Sequence, residues 1–137
     1  MNLKIPTIDS QGRSNGFVLP IWSALDHPEL RPEQVYLTAI APGTRKGPHL
    51  HMKRRGVFVV LAGEITLVKR TGTATTSVYK TAGTGYTIVP PGTPCALYNF
   101  SDKEALVLNL PSPAWSAEDP DEHPVADWVD PAGWPAR

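Results

Sequence analysis

The residues whose types and spacing best suit chemistry are the two histidines of Lys46-Gly47-Pro48-His49-Leu50-His51. Histidines at i and i+2 on an extended segment face the same side of a sheet, with Cβ atoms roughly 6–7 Å apart. Two imidazoles side by side can exchange protons near neutral pH or share a metal. Cations flank the pair: Arg45 and Lys46 before it, Lys53-Arg54-Arg55 after it. An anionic ligand would find complementary charge there.

The elements that must hold this pair read as strands. Gln34-Val35-Tyr36-Leu37-Thr38-Ala39-Ile40 alternates and is rich in β-branched and aromatic residues. Val57–Leu61 is a continuous apolar run, and the turn at Gly63 leads into Ile65–Lys69, the pattern of a β-hairpin. Thr75–Lys80 is polar and threonine-rich, which suits an edge strand. Tyr86–Val89, Ala96–Phe100 and Ala105–Leu110 complete the later strands. Before them, Leu3–Ile8 and Phe17–Trp22 flank the turn Asp9-Ser10-Gln11-Gly12, and 25–32 is a proline-rich loop. About ten short strands without a convincing helix predict an all-β jelly roll or small barrel, a single domain over 1–137. After Pro111 come five prolines, an acidic cluster from Glu118 to Glu122, and Trp115, Trp128 and Trp134. This proline/tryptophan-rich C-terminal segment is expected to strap onto the barrel through its tryptophans.

Composition removes several function classes. The 13 basic residues balance the 13 acidic ones, so no global field favours nucleic acid or an anionic membrane. No apolar run approaches the roughly 20 residues of a membrane span. The start, Met1-Asn2-Leu3-Lys4-Ile5-Pro6, lacks the apolar core of a secretory signal. The one cysteine, Cys95, suits a reducing compartment, and a cytoplasmic location is expected. Fifteen prolines and eleven glycines in a chain that is 41% hydrophobic imply frequent turns between strands rather than disorder.

Three blocks together resemble the cupin superfamily: Gly43 through His49-Leu50-His51 to Gly63; the turn-rich gap; and Gly85 through Pro90-Pro91-Gly92-Thr93-Pro94-Cys95 to Asn99. The resemblance implies a jelly-roll barrel with the histidines inside. Metal-binding cupins carry a glutamate where this chain has Arg55 or Gly56, and a histidine where it has Cys95. Two of four usual ligands are thus replaced, and the expectation is a metal-free site with no cofactor. The alternative is a zinc-type set of His49, His51 and Cys95 in a metal-dependent lyase or oxygenase, or a small-ligand-binding module. Asp9-x-x-Gly12, Gln34-Val35-Tyr36 and the Lys46–His51 block are similar to dTDP-4-dehydrorhamnose 3,5-epimerases and dTDP-4-keto-6-deoxyhexose 3,4-ketoisomerases. The histidine doublet matches the ketoisomerases. The late-strand tyrosine of the epimerases is missing near Leu108 and Asn109.

That resemblance implies an enzyme of deoxysugar biosynthesis acting on a nucleotide-linked 4-keto sugar, a homodimer, and proton abstraction beside the ketone. His49 is the expected base, with His51 as second acid/base or orienter, and Tyr36 as proton donor or enolate partner. Arg45 and Lys46 would stabilise the enolate or hold the diphosphate, with Arg54 and Arg55 as phosphate-facing cations. Tyr98 and Asn99 would line the opposite wall. Each has a plainer reading: a structural histidine pair, a solvated Lys53–Arg55 turn, strand tyrosines with polar tips, and Cys95 as a small buried hydrophobe. His27 and His123 sit in proline-rich loops and receive no role.

Overall fold

A computed structural model describes residues 4–20 and 31–135. The expected strand Phe17–Trp22 and the loop at 25–32 lie partly outside these residues, as does His27. Ten strands run in chain order: β1 Ile5–Ile8, β2 Ser14–Val18, β3 Tyr36–Ile40, β4 Arg45–His49, β5 Gly56–Ala62, β6 Glu64–Thr71, β7 Ala74–Thr81, β8 Tyr86–Val89, β9 Cys95–Tyr98 and β10 Ala105–Asn109. Among the described residues there is no helix. The all-β reading therefore holds, and the arrangement is that of a cupin-like jelly roll.

Two four-stranded antiparallel sheets form the barrel, in the orders β3-β10-β5-β8 and β4-β9-β6-β7. Ile40, Val60, Val89 and Val107 of the first pack against Ile65, Leu67, Cys95 and Leu97 of the second. This interlayer cluster is the main core. Strand β5 is apolar on both faces: Val60 points into the core, whereas Val57 and Val59 join Leu110 in a cluster on the other face. That explains its unbroken apolar run, where alternation would mark a half-buried strand. Threonine-rich β7 is an edge strand, as its polarity predicts.

The β1–β2 hairpin stands apart as its own two-stranded sheet. Its turn is built by Asp9, whose carboxylate accepts from the N–H groups of Gln11 and Arg13, with Gly12 at a φ of 78°.

The residues after Pro111 bond back to the barrel at several points. Arg55 and Ser112 exchange backbone hydrogen bonds, and His123 N–H donates to the Leu50 carbonyl. Trp128 and Trp134 pack on Val68, Ala96 and Tyr98, on the outer face of the second sheet. Trp115 does not join them.

Candidate active site

One end of the barrel opens into a cavity of about 260 Å³. Strand parity decides what faces it. On β3, Tyr36 and Thr38 line the cavity, while Leu37 between them points to solvent. On β10, Asn109 lies opposite Tyr36 in register and also faces in. On β9, Cys95 and Leu97 line the cavity.

Strand β4 carries the histidine motif and is not regular. Arg45 pairs with Tyr98 and Lys46 with Leu97, but His49 pairs with Cys95, so one extra residue is accommodated between Lys46 and His49. Gly47 occupies that bulge with a φ of 95°. A Cβ there would sit 3.0 Å from both the Cys95 carbonyl oxygen and His49 Cδ2, so only glycine fits without displacement. The bulge returns both Lys46 and His49 to the cavity wall.

His51 follows just beyond the strand and lines the same wall. The two imidazoles lie with ring centroids 6.1 Å apart and planes 13° apart. The shared face expected from the i, i+2 spacing is present. His49 is open to solvent at the cavity mouth, yet protein surrounds enough of its ring to matter. Partial burial pushes its pKa below the ordinary histidine value, and His51, Arg54 and Lys46 push the same way against the opposing pull of Glu122. These surroundings favour the neutral ring, the form a proton acceptor needs.

Arg54 is buried and lines the cavity, with one guanidinium nitrogen donating to the Pro120 carbonyl. The hydroxyl of Tyr36 donates to Gln34 Oε1, which also accepts from the backbone N–H of Trp115. The phenolic oxygen thus keeps its lone pairs for a donor, and its own proton is already engaged.

Four of the expected substrate contacts lie elsewhere. Tyr98 is one residue out of phase with Cys95 and Leu97, so it points to the opposite face of β9. There it is fully buried, donates to Asp130 and accepts from the Trp128 indole N–H. Asn99 is also fully buried and donates to the carbonyls of Ile40 and Lys103. Arg45, opposite Tyr98 in register, shares that outer face and pairs with Asp130. Arg55 does not line the cavity. Its Nε is buried without a hydrogen-bond partner.

The alternative zinc set also fails to form. Among the described residues no three histidine, cysteine or acidic side chains come together in a way that could hold a metal ion. Burial pushes the Cys95 thiol up to about 11, which disfavours the thiolate that would bind zinc, and Lys46 and Arg54 place cations in the same cavity.

Several lining residues have no counterpart in the sequence-based reading. Thr38, Phe58 and Asn109 follow from parity along their strands. Trp115 and Glu122 come from the segment after Pro111, which has no periodicity to exploit. His123, given no role from sequence, bonds through Nε2 to the Asp121 carboxylate at 3.0 Å.

Residues 1–123 match the family described as "FdtA: WxcM-like, C-terminal". The chain belongs to that family. No curated protein matches it. Among solved structures, a 3,4-ketoisomerase from Helicobacter canadensis superposes with a TM-score of 0.70 at 17% identity, covering 89% of this chain and 86% of that one. QdtA, a sugar 3,4-ketoisomerase from Thermoanaerobacterium thermosaccharolyticum solved with TDP, gives a TM-score of 0.68 at 18% identity, covering 86% and 82%. The capsular polysaccharide assembling protein CapF from Staphylococcus aureus gives 0.60 at 19% identity, covering 88% of this chain but 33% of CapF. This FdtA/WxcM-like chain thus spans a third of CapF. At these identities the likeness establishes a common fold. Among the described residues of this family member, no helix is long and apolar enough to cross a membrane.

Proposed function

We propose that this chain is a sugar-nucleotide isomerase that moves the ketone of a nucleotide-linked 4-keto-6-deoxy sugar to the neighbouring carbon, as a 3,4-ketoisomerase does. The observation that carries the proposal is the pair of nearly parallel imidazoles on a cavity wall that also bears Lys46 and Arg54, whose charges favour the neutral form of His49. Family membership and the fold shared with ketoisomerases support it.

The step is internally balanced. A base takes the proton from C3, and the C–H electrons form a C3–C4 double bond while the 4-keto oxygen takes the negative charge. A proton then moves from the 3-hydroxyl side to that oxygen, and C4 is reprotonated to leave the ketone at C3. No oxidant or reductant is consumed. His49 serves as the base and His51 as the second acid/base. Lys46 and Arg54 stabilise the developing oxyanion, and Tyr36 meets a sugar hydroxyl through its phenolic oxygen.

At about 260 Å³ the cavity falls below the roughly 300–1,000 Å³ usual for drug-sized ligands. It suits a single hexose, with the nucleotide lying across the rim beside Trp115. In this reading the working unit is a homodimer in the cytoplasm.

The test is incubation with dTDP-4-keto-6-deoxyglucose in D₂O, following deuterium entry by NMR. Entry at C3 and C4 with appearance of a 3-keto product is expected. Binding without exchange would instead make the protein a ligand-binding module.

A further inference from the structure

Beside His51, the acidic run that follows Ser116 does something its composition does not announce. Asp121 is buried and adopts a left-handed backbone with a φ of 53°, a conformation that aspartate tolerates better than most residues. Its carboxylate accepts three backbone N–H groups, from Met52 at 2.9 Å, Lys53 at 2.9 Å and Arg54 at 2.8 Å. His123 adds a fourth contact. The carbonyl oxygen of the same Asp121 lies 2.8 Å from His51 Nδ1. One residue therefore clamps the loop that leaves the histidine motif and also touches the second histidine itself. On the other side of His51, the bridge between Leu50 and His123 holds the two segments together.

We propose that Asp121 is the positioning residue of His51: its carbonyl holds the proton on Nδ1, and its carboxylate fixes that carbonyl in place. A carbonyl can only accept, so Nδ1 must donate, and the lone pair of the neutral ring falls to Nε2. Arg54 does not compete for Nδ1. Its Nη2 lies 2.9 Å from Nδ1 but only 3.4 Å from Nε2. An N–H aimed along the Nδ1 lone pair would keep its nitrogen on the far side of the ring from Nε2. The guanidinium instead flanks the ring edge or face. Nε2 of His51 is then the atom through which this residue gives or takes a proton.

Only the kinetic arm of the test rests on the isomerase reading. The direct measurement is a long-range ¹H–¹⁵N correlation of the His51 ring in the intact protein at neutral pH. The Nδ1–H tautomer is expected, and an Nε2–H tautomer overturns the proposal. In Asp121→Asn, one carboxylate oxygen is replaced by a donor that cannot accept the loop N–H groups. A mixture of tautomers is expected, with kcat at least about tenfold lower and KM within about threefold of wild type. Asp119→Asn, which loses only an exposed contact to Lys53, leaves tautomer and kcat unchanged. If Asp121→Asn lowers only the melting temperature, Asp121 is merely structural and the proposal fails. If Asp121→Asn does not fold, the wild-type tautomer alone decides. If no keto sugar is turned over by wild type, the isomerase reading fails while the tautomer result stands.

Discussion

At the scale of single residues, the site depends on His49 being neutral when substrate arrives. Its ring is partly buried and faces His51, Arg54 and Lys46, all of which disfavour a positive charge. A depressed pKa keeps the base competent at lower pH, so the acidic limb of the kcat/KM profile should fall below about 6.5, the ordinary histidine value. Glu122 opposes the other groups. Removing its charge in Glu122→Gln should move the limb to still lower pH, and an upward shift would contradict the assignment of that limb to His49. The same depressed pKa affects stability. Protonating His49 costs more in the folded chain than in the unfolded one, so its contribution is present above the unfolded pKa and is lost as pH falls. His49→Asn should reduce turnover by about 10²-fold or more, the scale of general acid–base catalysis, while the melting temperature moves by only a few degrees. A large loss of stability with the asparagine would reveal a structural histidine instead.

At the scale of elements, the bulge in β4 sets the geometry that the residues use. In a regular strand Lys46 and His49, three positions apart, would face opposite sides of the sheet; the bulge between them brings both to the cavity. Gly47→Ala forces a side chain into the left-handed region and against the Cys95 carbonyl. A loss of about 1–3 kcal/mol is expected in chemical denaturation. Turnover should fall further than stability alone accounts for, because His49 Cδ2 is the other atom displaced. Wild-type activity in a folded Gly47→Ala would show that the bulge is incidental. Strand parity also explains what was legible beforehand. The barrel, its hairpins and the facing histidines follow from hydrophobic pattern and turn chemistry, which are local. The family resemblance implies Tyr98 and Asn99 on the cavity wall, where neither lies. Counting in twos from Cys95 leads to Leu97 and sends Tyr98 to the other face, so that error lay within reach of the sequence. Asn109 follows from the same counting along β10. Trp115, Asp121 and Glu122 do not. They reach the site through backbone bonds such as Arg55 to Ser112 and His123 to Leu50, between positions far apart in the chain and with no periodic signature.

At the scale of the whole molecule, the outer surface is uneven in a way that bears on assembly. Among the described residues the β1–β2 hairpin pairs with no other strand, and Ile5, Ile8, Phe17 and Val18 are each at least half exposed. A lone two-stranded hairpin is at best marginal in water, so this one calls for a surface to cover it. The barrel offers one of matching character. Leu37 on edge strand β3 is 61% exposed and pairs in register with Leu108, which belongs to the apolar cluster on the outside of that sheet. Two copies related by a two-fold axis would let each hairpin and each β3 edge bury apolar surface together, a self-complementary contact of the kind closed dimers use. A stable contact of this sort buries about 1,200–2,000 Å² in total. Equilibrium sedimentation at micromolar concentration should therefore give twice the chain mass of 14.9 kDa. Charges placed on the two patches by Phe17→Glu and Leu37→Glu should each shift the population towards single chains. Wild-type protein that sediments as one chain would exclude the dimer. Variants that remain dimeric would place the interface on another face and leave the exposed hairpin to some other partner.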